Sequence, residues 1–317
     1  MRLLLVINPV AGLNMPLKVE EIVRRSLARR GVEATVETAV TEGPDHALRI
    51  ARERRDDFDV VAAVGGDGTV REVAGGLMGG NTPLAILPNG TANVLAADLG
   101  IPLRLAWAAD LIAPDARTVP LDMGEMNGRP FALNVGVGYA ARLINATPTF
   151  WKRRVGFVAY LPAAVRAAFA RDVARTTVTV DGETITGPVQ MVVIANSGGI
   201  GGWAVQIAPN VRPNDGKLVV AIFAPRSPVG MLASFMQIVL RRYDAIADAT
   251  YREGREITLT CDPPLPVEMD GDPAGMTPCA VHFFPAALPV IVPPLKGKRK
   301  RIDHRDTEAT EKDGKRK

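Results

Sequence analysis

Two hydrophobic patterns alternate over the first third of the chain. Leu3–Ile7, Val60–Val64 and Leu84–Leu87 are unbroken apolar runs, Leu17–Arg29 and Asp45–Arg54 carry apolar residues at helical spacing, and Glu33–Glu37 alternates. A further helix is predicted from about Val70 to Leu77, and another beginning near Thr91. Strands hydrophobic on both faces and separated by helices predict a parallel sheet covered on both sides. From about Thr118 the pattern changes to short β-rich runs at Phe131–Val137, Thr176–Val180, Gln190–Ala195, Lys217–Phe223, Glu256–Thr260 and Ala280–Phe284. Helical stretches interrupt them at Gly156–Val173 and Val229–Ala247, and Asn127-Gly128 and Asp181-Gly-Glu183 stand between runs as hairpin turns. The second half is therefore expected to be a largely antiparallel β domain carrying helices.

Composition narrows the classes. A chain of 317 residues, 47% hydrophobic and 23% charged, fits one large or two ordinary globular domains and excludes a disordered or fibrous protein. The formal net charge is +4, but residues 296–317 hold 10 Lys/Arg and 5 Asp/Glu, leaving 28 basic against 29 acidic residues before them. A near-neutral body gives no specific nucleic-acid surface, and residues 294–317 are expected to be a solvated, disordered basic tail, dispensable for folding, that could touch anionic headgroups. Two cysteines and three scattered histidines build neither a zinc site nor a disulfide framework. The opening apolar run stops at Asn8-Pro9, so it reads as a buried strand rather than a signal peptide. Val229 to Leu240 is too short to span a bilayer. The expected location is cytoplasmic, at most peripheral to a membrane.

The strongest chemical signal is Val64-Gly-Gly-Asp-Gly-Thr-Val-Arg-Glu72, after a buried strand and before a helix. Glycines there let a ligand approach the backbone, and the helix N-terminus offers free N–H groups and partial positive charge to phosphate. Asp67 can orient a phosphate-bound metal or a hydroxyl. No Gly-Lys-Ser/Thr follows, so this is not a Walker loop. Asn8-Pro-Val-Ala-Gly12 and Pro88-Asn-Gly-Thr-Ala-Asn93 fall at the same end of the inferred sheet, where ligands of parallel α/β folds bind. Taken singly, Asn8-Pro9 is equally an ordinary turn and Thr91 an ordinary helix cap.

These motifs continue through Asp122-Met-Gly124, Gly136-Val-Gly138, Gly156-Phe-Val-Ala-Tyr-Leu161, Asn214-Asp-Gly216 with Leu218, and Asp270-Gly-Asp272. In this order and spacing, over about residues 1–293, the chain resembles the diacylglycerol-kinase-like lipid kinases, which include bacterial diacylglycerol kinases and sphingosine kinases. The resemblance implies an α/β fold of two domains: an ATP-binding domain with a parallel sheet over 1–117, to which 286–293 return, and a mostly antiparallel, β-sandwich-like lipid-binding domain over 118–285. Carried over by position, Asn8, Pro9, Gly12, Thr41, Gly65, Gly66, Asp67, Gly68, Thr69, Val70, Arg71 and Thr91 would surround ATP in the interdomain cleft. Asp215 would bind a structural Mg2+, helped by Arg212 and Lys217, whose cationic side chains leave only backbone carbonyls as ligands. Asp272 would take the proton of the lipid hydroxyl, with Asp270 orienting its loop and Asp67 serving the same carboxylate group.

Some positions depart from the family. Asp272 stands where the family has Glu, one methylene longer; Arg71 replaces a usual Asn; Val94 and Ala140 replace frequent acids. Asp181-Gly-Glu183 matches the family triplet better but reads as a hairpin turn. Phe150-Trp-Lys-Arg-Arg154, followed by Phe157, Tyr160, Leu161, Val165 and Phe169, reads equally as a membrane-interface segment and as an amphipathic core helix. The expected function is an ATP-dependent lipid kinase acting on diacylglycerol or a related lipid, a homodimer being compatible with it. The alternatives are a catalytically weak nucleotide- or lipid-binding protein and an NAD-kinase-like enzyme with a soluble acceptor.

Overall fold

The structure is a computed structural model, described here for residues 1–12, 16–147, 159–170, 173–200, 205–206, 208, 211–225, 227–246 and 248–294. The basic tail and the aromatic-basic segment at Phe150–Phe157 lie outside these residues. The first part runs β1 (Arg2–Ile7), α1 (Pro16–Arg29), β2 (Thr35–Val40), α2 (His46–Arg54), β3 (Val60–Gly65), α3 (Asp67–Leu77), β4 (Leu84–Pro88), α4 (Val94–Asp98) and α5 (Leu105–Ala109). Its strands lie parallel in the order β2-β1-β3-β4. Every residue of β3 and β4 is buried. Val19, Val23 and Leu27 of α1, Ile50 of α2, and Val73 and Leu77 of α3 close over the sheet in one core. This is the arrangement expected of strands apolar on both faces.

The second part runs β5 (Thr118–Met126), β6 (Arg129–Phe131), β7 (Asn134–Gly138), α6 (Tyr139–Asn145), α7 (Leu161–Ala168), β8 (Ala174–Val180), β9 (Glu183–Val189), β10 (Met191–Ala195), β11 (Gly199–Ile200), β12 (Val205–Gln206), β13 (Val219–Phe223), α8 (Pro228–Val239), β14 (Ala249–Glu253), β15 (Glu256–Asp262), β16 (Pro266–Met269), β17 (Asp272–Met276) and β18 (Cys279–Ile291). An antiparallel sheet of order β14-β13-β10-β7-β16-β17 is buried on both faces. One face, with Val135, Val192, Ile194, Val220 and Val267, meets Val178, Ile257, Leu259 and Val281 from β8, β15 and β18. The other face, with Met191, Val193, Ala221 and Phe223, is covered by Tyr139, Ala164, Met231 and Phe235 of α6, α7 and α8. The fold is α/β, with a mostly parallel first sheet and a sandwich-like second part.

The two parts share a sheet through β18, whose end falls in the segment 286–293. The thirteen-residue β18 runs antiparallel to β15 and β5 and reaches β4 in parallel through Val290 and Leu84. The β-rich half thus continues the first sheet to ten strands. Among the described residues no helix is long and apolar enough to cross a membrane.

Several boundaries differ from the expected ones for identifiable reasons. The Phe131–Val137 run breaks between β6 and β7 because the amides of Ala132, Leu133 and Asn134 are drawn off by the Asp270 carboxylate. Lys217 is not in β13, since its amide closes a turn on Asp215. Helix α3 starts at Asp67 rather than Val70, absorbing Gly68 and Thr69 into its first turn. The α4 helix starts at Val94, so Thr91 is a loop residue and not its cap. The helical runs expected to reach Val173 and Ala247 end at Ala168 and Val239.

Candidate active site

Three loops meet at the carboxyl ends of β1, β3 and β4 and are stitched together by asparagines. Asn8 donates its backbone N–H to Val64 O at 3.0 Å and its side-chain amide to Thr69 Oγ1 at 3.1 Å, while its Oδ1 accepts Val10 N–H. Asn89 donates its backbone N–H to Gly65 O at 2.9 Å and its side-chain amide to Ala11 O at 2.8 Å. Asn93 and Gly90 exchange two hydrogen bonds within the third loop. The loops enclose a cavity of about 350 Å³ lined by Asn8, Val10, Ala11, Gly12, Gly66, Gly68, Thr69, Gly90 and Thr91. Small residues and the first turn of an eleven-residue helix form its wall, so backbone N–H groups and the positive end of the helix dipole face the space.

The glycines of this wall are there for different reasons. A methyl group on Gly12, at φ 73°, or on Gly90 would collide with Asn89 or with Gly66 respectively. On Gly66, at φ −90°, it would meet nothing nearer than Gly90 Cα at 3.4 Å. Gly66 is therefore the position where backbone geometry does not demand glycine and close approach of a ligand could.

Of the residues expected around ATP, Asn8, Gly12, Gly66, Gly68, Thr69 and Thr91 line this cavity; Gly65 ends β3 and Asp67 opens α3. Pro9 and Thr41 are not in the lining: Thr41 is buried beyond β2, where its N–H bonds Ile7 O at 2.9 Å. Val70 is turned into the core. Arg71 points to the Asp270-Gly271 turn rather than into the cavity. Sequence reasoning did not single out Val10, Ala11 and Gly90, although all three lie inside the quoted motifs.

The β16–β17 hairpin, which lies outside the cavity lining, approaches the first turns of α3. Asp270 and Gly271, at φ 51° and 91°, are its two turn residues, and both lie in the left-handed region. Asn127-Gly128 and Asp181-Gly182 make the same kind of turn at φ 49° and 81° and at 47° and 89°. In each, the first side chain reaches out to cap a neighbouring strand's amides: Asn127 takes Ala280 N–H, and Asp181 takes those of Arg255 and Glu256. Asp270 accepts three, from Ala132 at 2.9 Å, Leu133 at 2.8 Å and Asn134 at 3.0 Å. Turn geometry therefore does not separate the Asp270 triplet from the Asp181 triplet; what lies opposite does.

Asp272 follows the turn, paired with Met269 across the hairpin. Its side chain is 63% exposed and one oxygen lies 3.3 Å from Arg71 Nη1. The same oxygen is 3.9 Å from where a Cβ on Gly68 would stand, so the carboxylate hangs over the first turn of α3. Arg71 is itself buried and also donates to Met269 O at 3.4 Å. Burial pushes the Asp270 carboxyl up, opposed by the Arg71 charge and the three amides. Asp67 is pushed up to about 6, first by burial and then by the Asp270 charge. The amides of Leu95, Val94 and Asn93 work against that rise, and Asp67 Oδ1 accepts Leu95 N–H at 3.2 Å, capping α4 from across the fold. Glu268, fully buried below the turn, accepts Gly271 N–H at 2.8 Å. Sequence reasoning missed it, though a lone acid in the otherwise apolar run Leu265–Met269 was the available signal.

The expected metal site is a separate turn. Asp215 accepts the backbone N–H of Arg212 and of Lys217, both at 3.0 Å, while the Lys217 ammonium pairs with Glu253 at 2.9 Å. It is therefore the amides of 212 and 217 that face the carboxylate. Asp122, buried on β5, binds the same turn by accepting Gly216 N–H at 2.7 Å and donating its own N–H to Pro213 O at 2.8 Å. Among the described residues no cluster of three or more His, Cys, Asp or Glu side chains forms. The donors at this turn are oxygens only, and each Asp215 oxygen keeps a lone pair, which fits a hard cation that retains water.

Residues 2–126 match the family model of the diacylglycerol kinase catalytic domain, and residues 134–292 match that of the YegS C-terminal NAD kinase beta sandwich-like domain. The chain belongs to the diacylglycerol-kinase-like family that carries these two domains. Similar relatives include the diacylglycerol kinase of Bacillus subtilis, 26% identical over 94% of this chain and 98% of that protein. An uncharacterized protein of Synechocystis is 28% identical over 91% of this chain and 70% of its own length. A crystal structure of a candidate diacylglycerol kinase from Bacillus anthracis superposes with a TM-score of 0.77 at 25% identity, covering 92% of this chain and 95% of that one. Membership of this family makes the chain a kinase-type transferase, and such kinases use ATP and usually a divalent metal.

Proposed function

We propose that the chain transfers the γ-phosphoryl group of ATP to the hydroxyl of diacylglycerol or a related lipid. The observation that carries this reading is the position of Asp272, whose carboxylate hangs over Gly68 at the rim of the cavity. Phosphates held against Gly66, Gly68 and Thr69 by the α3 amides would place the terminal phosphoryl group beside an exposed carboxylate. Asp272 takes the proton of the acceptor hydroxyl as the oxygen–phosphorus bond forms, and the bond to the departing ADP breaks. Phosphoryl transfer depends mainly on positioning and charge, so no covalent nucleophile is required. Asp270 fixes the turn through its three amides, and Asp67 holds the start of α4 against the same cleft. Magnesium would be held at Asp215 with the backbone carbonyls of Arg212 and Lys217, whose N–H groups already bind that carboxylate, bracing the second part of the molecule.

The lipid acceptor is supported by apolar side chains left in solvent on α7 and α8. Leu161, Val165 and Phe169 recur every four residues along and just past α7, and Val229, Met236 and Leu240 are likewise exposed along and just past α8. Such surfaces suit an enzyme that meets its substrate at a bilayer. A soluble acceptor is the second reading, favoured by the likeness of residues 134–292 to the NAD kinase beta sandwich-like domain. Transfer of label from γ-labelled ATP to a panel of lipid extracts and to NAD separates the two. Label in a lipid is the expected result. Label in NAD alone, or in nothing beyond background, sinks the proposal.

A further inference from the structure

Arg71 stands out in this site because it is neither in the cavity nor in the core. Its side chain is 9% exposed, so burial holds the stem of the residue; the charge of buried Asp270 lies near its guanidinium, but the hydrogen bonds the guanidinium makes are long. The bonds to Asp272 at 3.3 Å and to Met269 O at 3.4 Å are at the long end of the hydrogen-bond range. Asp272, on its side, is mostly in water, where an ion pair contributes little. A buried arginine facing a weak, solvated partner is poised to change partner. A phosphate is the better one, because guanidinium binds it with two parallel charge-assisted bonds.

The place such a phosphate would arrive is set by Gly68. That residue lines the cavity, and the Asp272 oxygen that Arg71 binds is the atom lying closest to its open side. One carboxylate oxygen thus connects the cavity wall to the guanidinium. A terminal phosphate resting on the first turn of α3 would meet that oxygen first and repel it, leaving the guanidinium to be claimed by the phosphate.

We infer that Arg71 is the residue that reads the γ-phosphate, and that it holds Asp272 until that phosphate arrives. With no nucleotide, or with ADP, Arg71 stays on Asp272 and the base is engaged. With ATP, Arg71 moves to the γ-phosphate and Asp272 is released toward the acceptor hydroxyl. Arg71 thereby discriminates ATP from ADP and positions the base. The inference rests on the reading of the cavity as a nucleoside triphosphate site.

Calorimetric titration of the full chain with ADP and with a non-hydrolysable ATP analogue, each with magnesium, tests it. The parent should bind both, the analogue more tightly. Arg71→Asn should weaken the analogue about tenfold or more and leave ADP within twofold. Asp272→Asn removes the competitor for the guanidinium and should tighten the analogue several-fold with no change for ADP, an effect that loss of a base alone would not produce. Asp272 is exposed, so this second variant remains informative if Arg71→Asn fails to fold. In the double variant the gain from Asp272→Asn should vanish. Equal loss of both nucleotides in Arg71→Asn, or unchanged analogue affinity in Asp272→Asn, overturns the role of Arg71 while leaving the kinase reading intact. A parent that binds neither nucleotide overturns both.

Discussion

The carboxylate of Asp122 ties Gly216 to Ala286, accepting each backbone N–H at 2.7 Å with a separate oxygen. Ala286 sits at φ 52° in the stretch of β18 where its register with β5 shifts, between Phe284 and Leu288. The bulge points its amide at the acid that also holds the Asp215 turn. One side chain therefore fixes together the proposed metal turn and the strand that joins the two parts of the ten-stranded sheet. Asp122→Ala should cost about 1–3 kcal/mol for each N–H left without an acceptor, and Asp122→Asn, which keeps one acceptor, should cost less. Denaturant unfolding measures this, and equal stability of all three proteins would contradict it.

Asp67 links stability to pH. Its pKa is about 6 in the folded protein, against about 3.9 for an unfolded aspartate. As pH rises from 4 to 6 the unfolded chain gives up this proton first, so the folded state loses stability over that window and levels off above it. Asp67→Asn, whose amide oxygen can still accept Leu95 N–H, lacks this loss. The variant's unfolding free energy should gain on the parent's as pH is raised from 4 to 7, by a difference on the order of 2–3 kcal/mol. A constant difference across that range would show that Asp67 is not held up by burial.

Gly66→Ala and Gly90→Ala should part company. The methyl group of the second drives into the Gly66 backbone, and stability should fall by roughly 1–3 kcal/mol or more. The first has room and an ordinary φ, so its Tm should stay near the parent's while ATP affinity drops about tenfold or more. If Gly66→Ala binds ATP as the parent does, the phosphates lie elsewhere.

Asp215→Ala should lower stability even without metal, because the amides of Arg212 and Lys217 lose their acceptor. Magnesium should raise the Tm of the parent and leave that of the variant unmoved. A variant that responds to magnesium like the parent would remove Asp215 from the metal site.

What was legible in the sequence is what is written locally. β1, β3 and β4 were plain from apolar runs, the turns at Asn127-Gly128 and Asp181-Gly182 from Asn-Gly and Asp-Gly, and six of the nine cavity-lining residues from glycine- and asparagine-rich loops after strands. What was not legible depends on distant partners. The break at Ala132-Leu133 is made by an aspartate some 140 residues away, and the pairing of β18 with β4 joins distant segments whose meeting the family resemblance implied and no local pattern did. The start of α3 was misread because Gly68 and Thr69 are poor helix formers held in place by the site. Arg71 was assigned to the cavity by position; its direction is set by the fold, which places Met269 and Asp272 against it.

Steady-state turnover on detergent-dispersed acceptor lipid tests whether Asp272 is the base of an ATP-dependent transfer to a lipid hydroxyl. Asp272→Asn should lower kcat by about 10²–10⁴-fold, and Asp272→Glu, which restores the family's reach, should match or exceed the parent. Near-parental turnover in Asp272→Asn, with activity abolished instead in Asp270→Asn, would contradict that role.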